Sequence, residues 1–189
     1  MTAEPTYEAL SARAAGSNVD PRTLLATDYL NHLNEPVMLI EMLPDMPDLA
    51  EELQIWQPKG YVEHFRESAI ADRELAIEAY PHSPEQYRLP FEFTIRAVTR
   101  RVEALRDETM AALNRDDADT VRRLVGEGLS GIHDLMGVAN AIIHGCASIE
   151  DLATHGGSAG ETVETPLEPA TDENGEPIMS QDEIDSLFD

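Results

Sequence analysis

Residues 120–145, TVRRLVGEGLSGIHDLMGVANAIIHG, carry the clearest helical pattern in the chain. Apolar side chains recur there at alternating spacings of four and three residues: Val125, Leu129, Ile132, Met136, Ala139 and Ile143. Because an α-helix turns by about 100° per residue, these side chains form one stripe. Asp116 or Asp117 precedes the stretch as a capping residue, so we predict a helix that ends at about His144. Such a stripe is typical of a seam in a helical bundle.

Upstream of this stretch, prolines and capping residues divide the chain into further helical segments. Asp20 and Pro21 resemble an N-cap followed by the first helical residue, and Ser83 with Gln86 forms a capping-box pattern. The predicted segments cover residues 20–33, 37–43, 48–56, 61–80, 83–114 and 117–144. The sequence leaves open whether Pro90 lies within the fifth segment or begins a new helix. No segment shows the alternation of a strand, so we predict an all-α helical bundle of four to six helices.

The charge balance of the chain limits its partners and its compartment. It has 37 acidic and 13 basic residues, a formal net charge of -24, and a single cysteine, Cys146. This charge repels phosphate backbones and anionic lipid, so we expect no nucleic-acid or membrane partner. One cysteine cannot form an internal disulfide or a thiolate metal site. Without a membrane-length apolar stretch or a signal-peptide pattern, the expected location is cytoplasmic.

The composition changes sharply near the C-terminus. Residues 155–189 contain ten acidic side chains and no lysine or arginine. Residues 155–178 are mostly Gly, Ser, Thr, Glu and Pro, a composition that cannot bury enough apolar surface to fold. We therefore predict an N-terminus at 1–19 that is flexible apart from a short turn around Tyr7 to Arg13. A helical domain at 20–154, a disordered acidic linker at 155–178 and a separate peptide at 179–189 follow it.

That last peptide, MSQDEIDSLFD, contains signals for a short helix. Ser180 and Glu183 form a capping box, and Met179 and Ile184 form a hydrophobic staple around it. Eleven residues are too few for a stable isolated helix, which needs roughly 12 to 15. The apolar face therefore requires a partner groove, and we predict a docking helix.

The stretch SQDEIDSLF at 180–188 resembles the receiver-binding peptide of the FliM family of flagellar switch proteins. It is also similar to the C-terminal peptide of the CheZ family of chemotaxis phosphatases. Both resemblances imply docking on a phosphorylated CheY-type response regulator. The residues that the resemblance assigns to this contact are Ser180, Gln181, Asp182, Ile184, Asp185, Leu187 and Phe188. Phe188 departs from the families, which more often have leucine there.

A second candidate site lies beside the apolar stripe. On the predicted helix, His133, Asn140 and His144 fall within about 40° of one another, with Gly137 next to them. A projecting histidine beside a small residue suits in-line approach of a receiver's aspartyl phosphate. The stretch resembles the phosphoacceptor segments of sensor histidine kinases and histidine phosphotransfer domains, which implies that His133 accepts a phosphoryl group. Met136 stands where those families usually have a basic residue.

The same stretch has a third resemblance, because Asp134-Leu135-Met136-Gly137 is similar to the catalytic Asp-Leu-Thr-Gly motif of the CheZ family. This implies a catalytic role for Asp134. In that family, an amide side chain follows the glycine and positions the attacking water. Here Val138 occupies that position, and valine can neither donate nor accept a hydrogen bond. Phosphatase action by the mechanism of the family would need another water-positioning group.

Together these patterns predict a regulator of chemotaxis or flagellar motility that binds a CheY-type receiver, and they leave open whether it also acts on the receiver's phosphoryl group, as CheZ does. Histidine phosphotransfer through His133 and a non-enzymatic helical adaptor are the alternatives, and pairing with a second copy stays open. We expect no cofactor, with Mg²⁺ entering only through a bound receiver. Asp28 and His32 have the spacing of metal ligands but are interpreted as an exposed contact. Met38, Met42 and Met46 are interpreted as core residues.

Overall fold

Seven α-helices make up most of residues 5–146, the part of the chain that the computed structural model describes. They are α1 (Tyr7–Ala14), α2 (Tyr29–Met42), α3 (Ala50–Ile55), α4 (Tyr61–Glu67), α5 (Arg73–Ala79), α6 (Glu85–Leu113) and α7 (Ala118–Ile143). Short 3₁₀ turns at Pro47–Leu49 and Tyr80–His82 precede α3 and α6. These residues contain no β-strand, so the predicted all-α class is confirmed, with more helices than the four to six expected.

The two longest helices, α6 and α7, form a hairpin that organises the domain. They are joined by residues 114–117, and the Asp117 side chain accepts a hydrogen bond from Thr120 N at 3.0 Å, as predicted for a cap. All six side chains of the predicted stripe are buried. Gly128 allows α6 to approach closely, because a Cβ at this position would lie 2.7 Å from Leu105 Cδ1. The periodic pattern therefore identified the helix and its buried face.

The shorter helices pack around this hairpin through an aromatic cluster. α2 contacts both α6 and α7, and it also contacts α4. Tyr61 stacks on Tyr80 with ring centroids 4.3 Å apart, and Tyr29 meets Phe91 edge-on at 5.9 Å. The Tyr61 hydroxyl accepts a hydrogen bond from Ala26 N at 2.8 Å, which satisfies a buried polar group. This cluster fixes α2 and α4 against α6.

The helix predicted at 20–33 is wrong in its start and its end. Asp20 Oδ1 accepts hydrogen bonds from the backbone N–H groups of Arg22 and Thr23, but Leu24 has a φ of 57°, which interrupts any helix. Residues 20–28 form turns instead, and α2 begins at Tyr29. It then continues through Pro36, which is buried inside the helix. The predicted break between the segments at 20–33 and 37–43 is therefore wrong, since one helix spans it.

The segment predicted at 61–80 consists of two helices, α4 and α5. Its interruption begins at Ser68, whose hydroxyl donates to Phe65 O and whose carbonyl accepts from Arg73 Nη1. Ser83 does not cap the next helix, because its hydroxyl donates to Thr23 O at 2.6 Å. α6 follows Pro84 and runs unbroken through Pro90, which answers the question that the sequence left open.

The expectation of a flexible N-terminus at 1–19 is wrong for residues 7–14, because the short turn predicted around Tyr7 to Arg13 is a full helix, α1. Thr6 caps this helix by accepting from Ala9 N, and Leu10 and Ala14 are completely buried. These two residues lie one helical turn apart and pack toward α5, a contact that the local sequence does not reveal. The predicted linker at 155–178 and the docking peptide at 179–189 lie outside the described residues.

Three methionines on α2 and in the turn after it are exposed to solvent. The assignment of Met38, Met42 and Met46 to the core is wrong, because their exposed fractions are 57%, 39% and 47%. Among the described residues, no helix combines the length and the apolar character that a membrane span requires.

Candidate functional site

The predicted polar edge of α7 exists as a solvent-facing surface. His133, Asp134, Gly137 and Asn140 are all exposed, and they alternate with the buried stripe residues on the same helix. Helical periodicity separates the two sets, since residues three and four apart share a face. The edge is thus held on a rigid helix whose opposite side is anchored in the core.

His133 is open to solvent and to an approaching partner. Within residues 5–146, its imidazole makes no hydrogen bond and no ion pair. One turn further along, a Cβ added to Gly137 would find no atom within 4 Å, so the space beside the histidine is empty. Exposure and free space are the two conditions that in-line transfer of a phosphoryl group to a histidine requires.

The CheZ-like part of the edge lacks a group that could position water. Asp134 is exposed, but Val138 is half-buried and packs against the core. Asn140 is exposed two residues further on, about 200° around the helix from Val138, so it does not replace the missing amide. Asp134 therefore lacks the neighbouring amide side chain that the resemblance to the CheZ family would require.

His144 does not belong to the free edge. It lies just beyond the last residue of α7, with its Nδ1 atom 3.7 Å from Asp20 Oδ2. Its backbone carbonyl accepts a hydrogen bond from the Arg22 guanidinium. These contacts attach the end of α7 to the turn after α1, which gives His144 a structural role and leaves His133 with Asn140 on the edge.

A pair of histidines that the sequence did not connect meets between α2 and α4. The ring centroids of His32 and His64 lie 5.6 Å apart, and Trp56 stacks on His32 at 5.3 Å. His32 Nε2 accepts a hydrogen bond from Lys59 N at 2.9 Å. The interpretation of Asp28 and His32 as an exposed contact is wrong, because His32 is buried.

The chemistry of this histidine pair is that of a packed, neutral group. Burial lowers the pKa of His32 to about 4, with further contributions from His64 and Lys59. Burial also lowers the pKa of His64. A cavity of about 280 Å³ adjoins the pair, and the Lys59 ammonium forms a 2.7 Å ion pair with Glu67 beside it. Two neutral imidazoles in such surroundings join helices rather than exchange protons at neutral pH.

No local signal could have revealed this pair, because His32 and His64 are separated by 32 positions and lie on different helices. Within the described residues, no group of three or more histidine, cysteine or acidic side chains is arranged to hold a metal ion. The expectation that the protein has no metal of its own stays a prediction. The docking residues from Ser180 to Phe188 lie outside the described residues, so their contacts also stay predictions.

Comparisons with protein-family models, with curated proteins and with solved structures found no match to this chain. The described residues therefore define an all-α protein in which one long helix, α7, exposes His133 on its polar face.

Proposed function

We propose that the protein regulates chemotaxis or flagellar motility by binding a CheY-type response regulator through residues 179–189. The observation that supports this proposal is the sequence SQDEIDSLF at 180–188, which resembles the receiver-binding peptides of two families that bind this regulator. The match combines apolar residues at helical spacing with acidic residues in the first turn, and both features suit a helix that folds into a groove.

In this proposal, Ile184, Leu187 and Phe188 occupy a groove on the receiver, and Ser180 caps the helix that forms on binding. The acidic segment 155–178 would act as a tether. A tether of this length gives a bound receiver a millimolar-scale effective concentration near the helical domain. A weak second contact with the exposed edge of α7 would then be sufficient for chemistry.

The isolated peptide 179–189 offers the first test. We expect it to bind a CheY-type receiver in a fluorescence-anisotropy titration, and to bind more tightly when a phosphoryl mimic such as beryllofluoride occupies the receiver. A peptide in which Ile184 and Leu187 are replaced by alanine is the matched control. Equal binding by the two peptides would contradict the proposed contact, and so would the absence of binding to every receiver tested.

A second candidate function, histidine phosphotransfer, is favoured by the exposure of His133 and the open space at Gly137. In this reaction, the phosphorus–oxygen bond of the receiver's aspartyl phosphate breaks while a phosphorus–nitrogen bond forms on the imidazole. The aspartate leaves as a carboxylate. Hydrolysis assisted by Asp134 would instead transfer the phosphoryl group to water, and a protein that only binds the receiver would do neither.

A further inference from the structure

A row of exposed methionine side chains runs along α2 and into the turn that follows it. Met38 and Met42 lie one helical turn apart, and Met46 N donates a hydrogen bond to Met42 O at 2.9 Å, which continues the helical path by one more turn. All three side chains are exposed. We call these three residues the methionine stripe, and at 1.5 Å per residue it is about 12 Å long. Exposed apolar side chains that share one face mark a contact surface.

The methionine stripe is not needed to hold α2 in the fold. The opposite side of this helix is anchored by Leu33, Val37 and Ile40, which are all buried. Three of the seven methionines of the chain are nevertheless placed on the exposed side. Methionine is unbranched and polarizable, so it can adapt to the irregular apolar surface of a partner. The residue type therefore suits a surface that packs against another helix.

The charges around the methionine stripe all have the same sign. Glu35 and Glu41 lie three residues before and after Met38, and Asp45 lies three residues after Met42, so these carboxylates flank the stripe. Residues 29–58 contain six acidic side chains and no lysine or arginine. The six are Glu35, Glu41, Asp45, Asp48, Glu51 and Glu52, and all are exposed.

This acidic surface is a local feature of the helical domain. The longest helix, α6, carries five acidic and five basic residues, so its charges balance. The last three of the six acidic residues lie in the turn before α3 and on α3 itself, a helix that contacts α2. Lys59 is the first basic residue after this segment, and its ammonium is held by Glu67 in a 2.7 Å ion pair. The methionine stripe is therefore an apolar row on a negatively charged surface.

This charge discriminates among the possible occupants of the stripe. A second copy of the chain would bring the same carboxylates against these ones, and like charges oppose such a contact. The peptide 179–189 of this chain has four acidic residues and no basic one, so it is disfavoured for the same reason. Nucleic acids and anionic lipid are also repelled. A cationic helix with one apolar face matches both the methionines and the carboxylates.

We propose that the methionine stripe binds a basic amphipathic helix of a partner protein. Apolar side chains of that helix, three and four residues apart, pack on Met38, Met42 and Met46. Lysine or arginine side chains at the edges of its apolar face pair with the flanking carboxylates, which sets the orientation of the helix. The stripe lies on the helical domain, so the inference does not depend on the proposed role of residues 179–189.

The test uses the full chain and three labelled peptides of about 18 residues, a length at which helices form readily. The first contains alanine, lysine and leucine, with its leucines on one helical face. The second has the same composition with the leucines distributed around the helix, and the third has every lysine of the first replaced by glutamine. In a fluorescence-anisotropy titration, we expect the first peptide to bind at least about tenfold more tightly than either control, a difference of about 1.4 kcal/mol.

Two pairs of variants locate the contact. M38A/M42A should reduce affinity for the first peptide about tenfold, whereas L89A/F93A, which removes two exposed apolar side chains from α6, should leave it unchanged.

E35Q/E41Q should weaken binding of the first peptide severalfold at low salt and less at high salt, because these charges are exposed. E74Q/E108Q removes the same charge from exposed positions on α5 and α6 and should leave the affinity unchanged.

Several results would overturn the proposal. Equal binding of the first two peptides, or an equal loss in the two glutamate variants, would show attraction to net charge alone. Unchanged affinity in M38A/M42A would exclude the stripe as the contact. Tighter binding in I184A/L187A would make the C-terminal peptide of this chain the occupant, and self-association that M38A/M42A abolishes in sedimentation equilibrium would make it a second copy. Circular dichroism of each variant confirms that a loss of binding is not a loss of fold.

Discussion

Two histidines of this protein, His133 and His32, have opposite environments. His133 stands exposed on α7 beside open space, with no polar partner in the described part of the chain. His32 is buried between α2 and α4, where it stacks on Trp56 and accepts a hydrogen bond from Lys59 N. The same side chain is available to a partner in one place and holds helices together in the other.

This difference shows that the surroundings of an imidazole decide what it can do. Burial lowers the pKa of His32 to about 4, so the ring stays neutral and its charged form opposes folding. His133 is exposed, and the buried stripe beside it carries the contacts that stabilise α7. The following predictions test this difference between buried and exposed side chains, beginning with the largest expected effect.

The first prediction concerns the boundary between the stripe and the edge of α7. Ile132→Asp should lower the free energy of unfolding by several kcal/mol and should unfold the domain, because it buries an unpaired carboxylate where only 1% of the side chain is exposed. Ser130→Asp, at an exposed position two residues earlier, is the control and should change stability by less than about 0.5 kcal/mol. Thermal unfolding followed by circular dichroism measures both. A folded Ile132→Asp variant would contradict the assignment of this face to the core.

The second prediction concerns the pH dependence of stability at His32. Its pKa falls from an ordinary 6.5 in the unfolded chain to about 4 in the fold, so the unfolded state takes up the proton first as pH decreases. The contribution of His32 to the free energy of unfolding is fully present above pH 6.5. It is lost as the pH falls from 6.5 to 4, by as much as about 3 kcal/mol.

Urea unfolding at several pH values measures this effect. His32→Gln keeps an acceptor for Lys59 N and should reduce the pH dependence of stability between pH 6.5 and 4 without abolishing it, because the pKa of His64 is also lowered. If His32→Gln has the same pH dependence as the wild type, His32 is not the group that links folding to protonation.

The third prediction concerns His133, whose replacement should have the smallest effect on stability but should abolish phosphoryl transfer to the protein. His133→Gln should change the free energy of unfolding by less than about 0.5 kcal/mol, because the ring is exposed. If His133 accepts phosphoryl groups, radiolabel from a phosphorylated receiver should appear on the wild-type protein in an acid-labile, base-stable form and should be absent from this variant. His144→Gln should keep the label. The alternative outcome is that the wild-type protein carries no label but accelerates dephosphorylation of the receiver, and that Asp134→Asn abolishes this acceleration. That outcome would assign hydrolysis, rather than phosphotransfer, to the exposed edge of α7.

The sequence predicted the parts of the fold that local periodicity controls. The stripe from Val125 to Ile143 and the cap at Asp117 depend on residues within one helix, and both are confirmed. The exposure of His133 followed from the same geometry. By contrast, Asp20 and Ser83 have the residue types of helix caps but serve a turn and a long-range hydrogen bond.

The remaining features depend on residues that are distant in sequence. Ser83 and Thr23, which hydrogen-bond to each other, are 60 positions apart, and a single-sequence pattern cannot predict such a contact. The meeting of His32 with His64 has the same origin, since it needs helices from different parts of the chain. The exposed residues on one face of α7 could therefore be predicted from the sequence, whereas a cluster assembled from two helices, such as His32 with His64, could not.

The most direct test of receiver binding uses the full chain and the double variant I184A/L187A. We expect this variant to bind a phosphorylated CheY-type receiver more weakly than the wild type by roughly 2 to 4 kcal/mol, because each buried aliphatic anchor contributes about 1 to 2 kcal/mol. M38A/M42A, which removes two exposed apolar side chains one turn apart on α2, is the matched control and should bind like the wild type. Isothermal titration calorimetry of the three proteins gives the affinities. A selective loss in I184A/L187A is the result that we predict, and unchanged affinity in this variant would contradict receiver binding through residues 179–189.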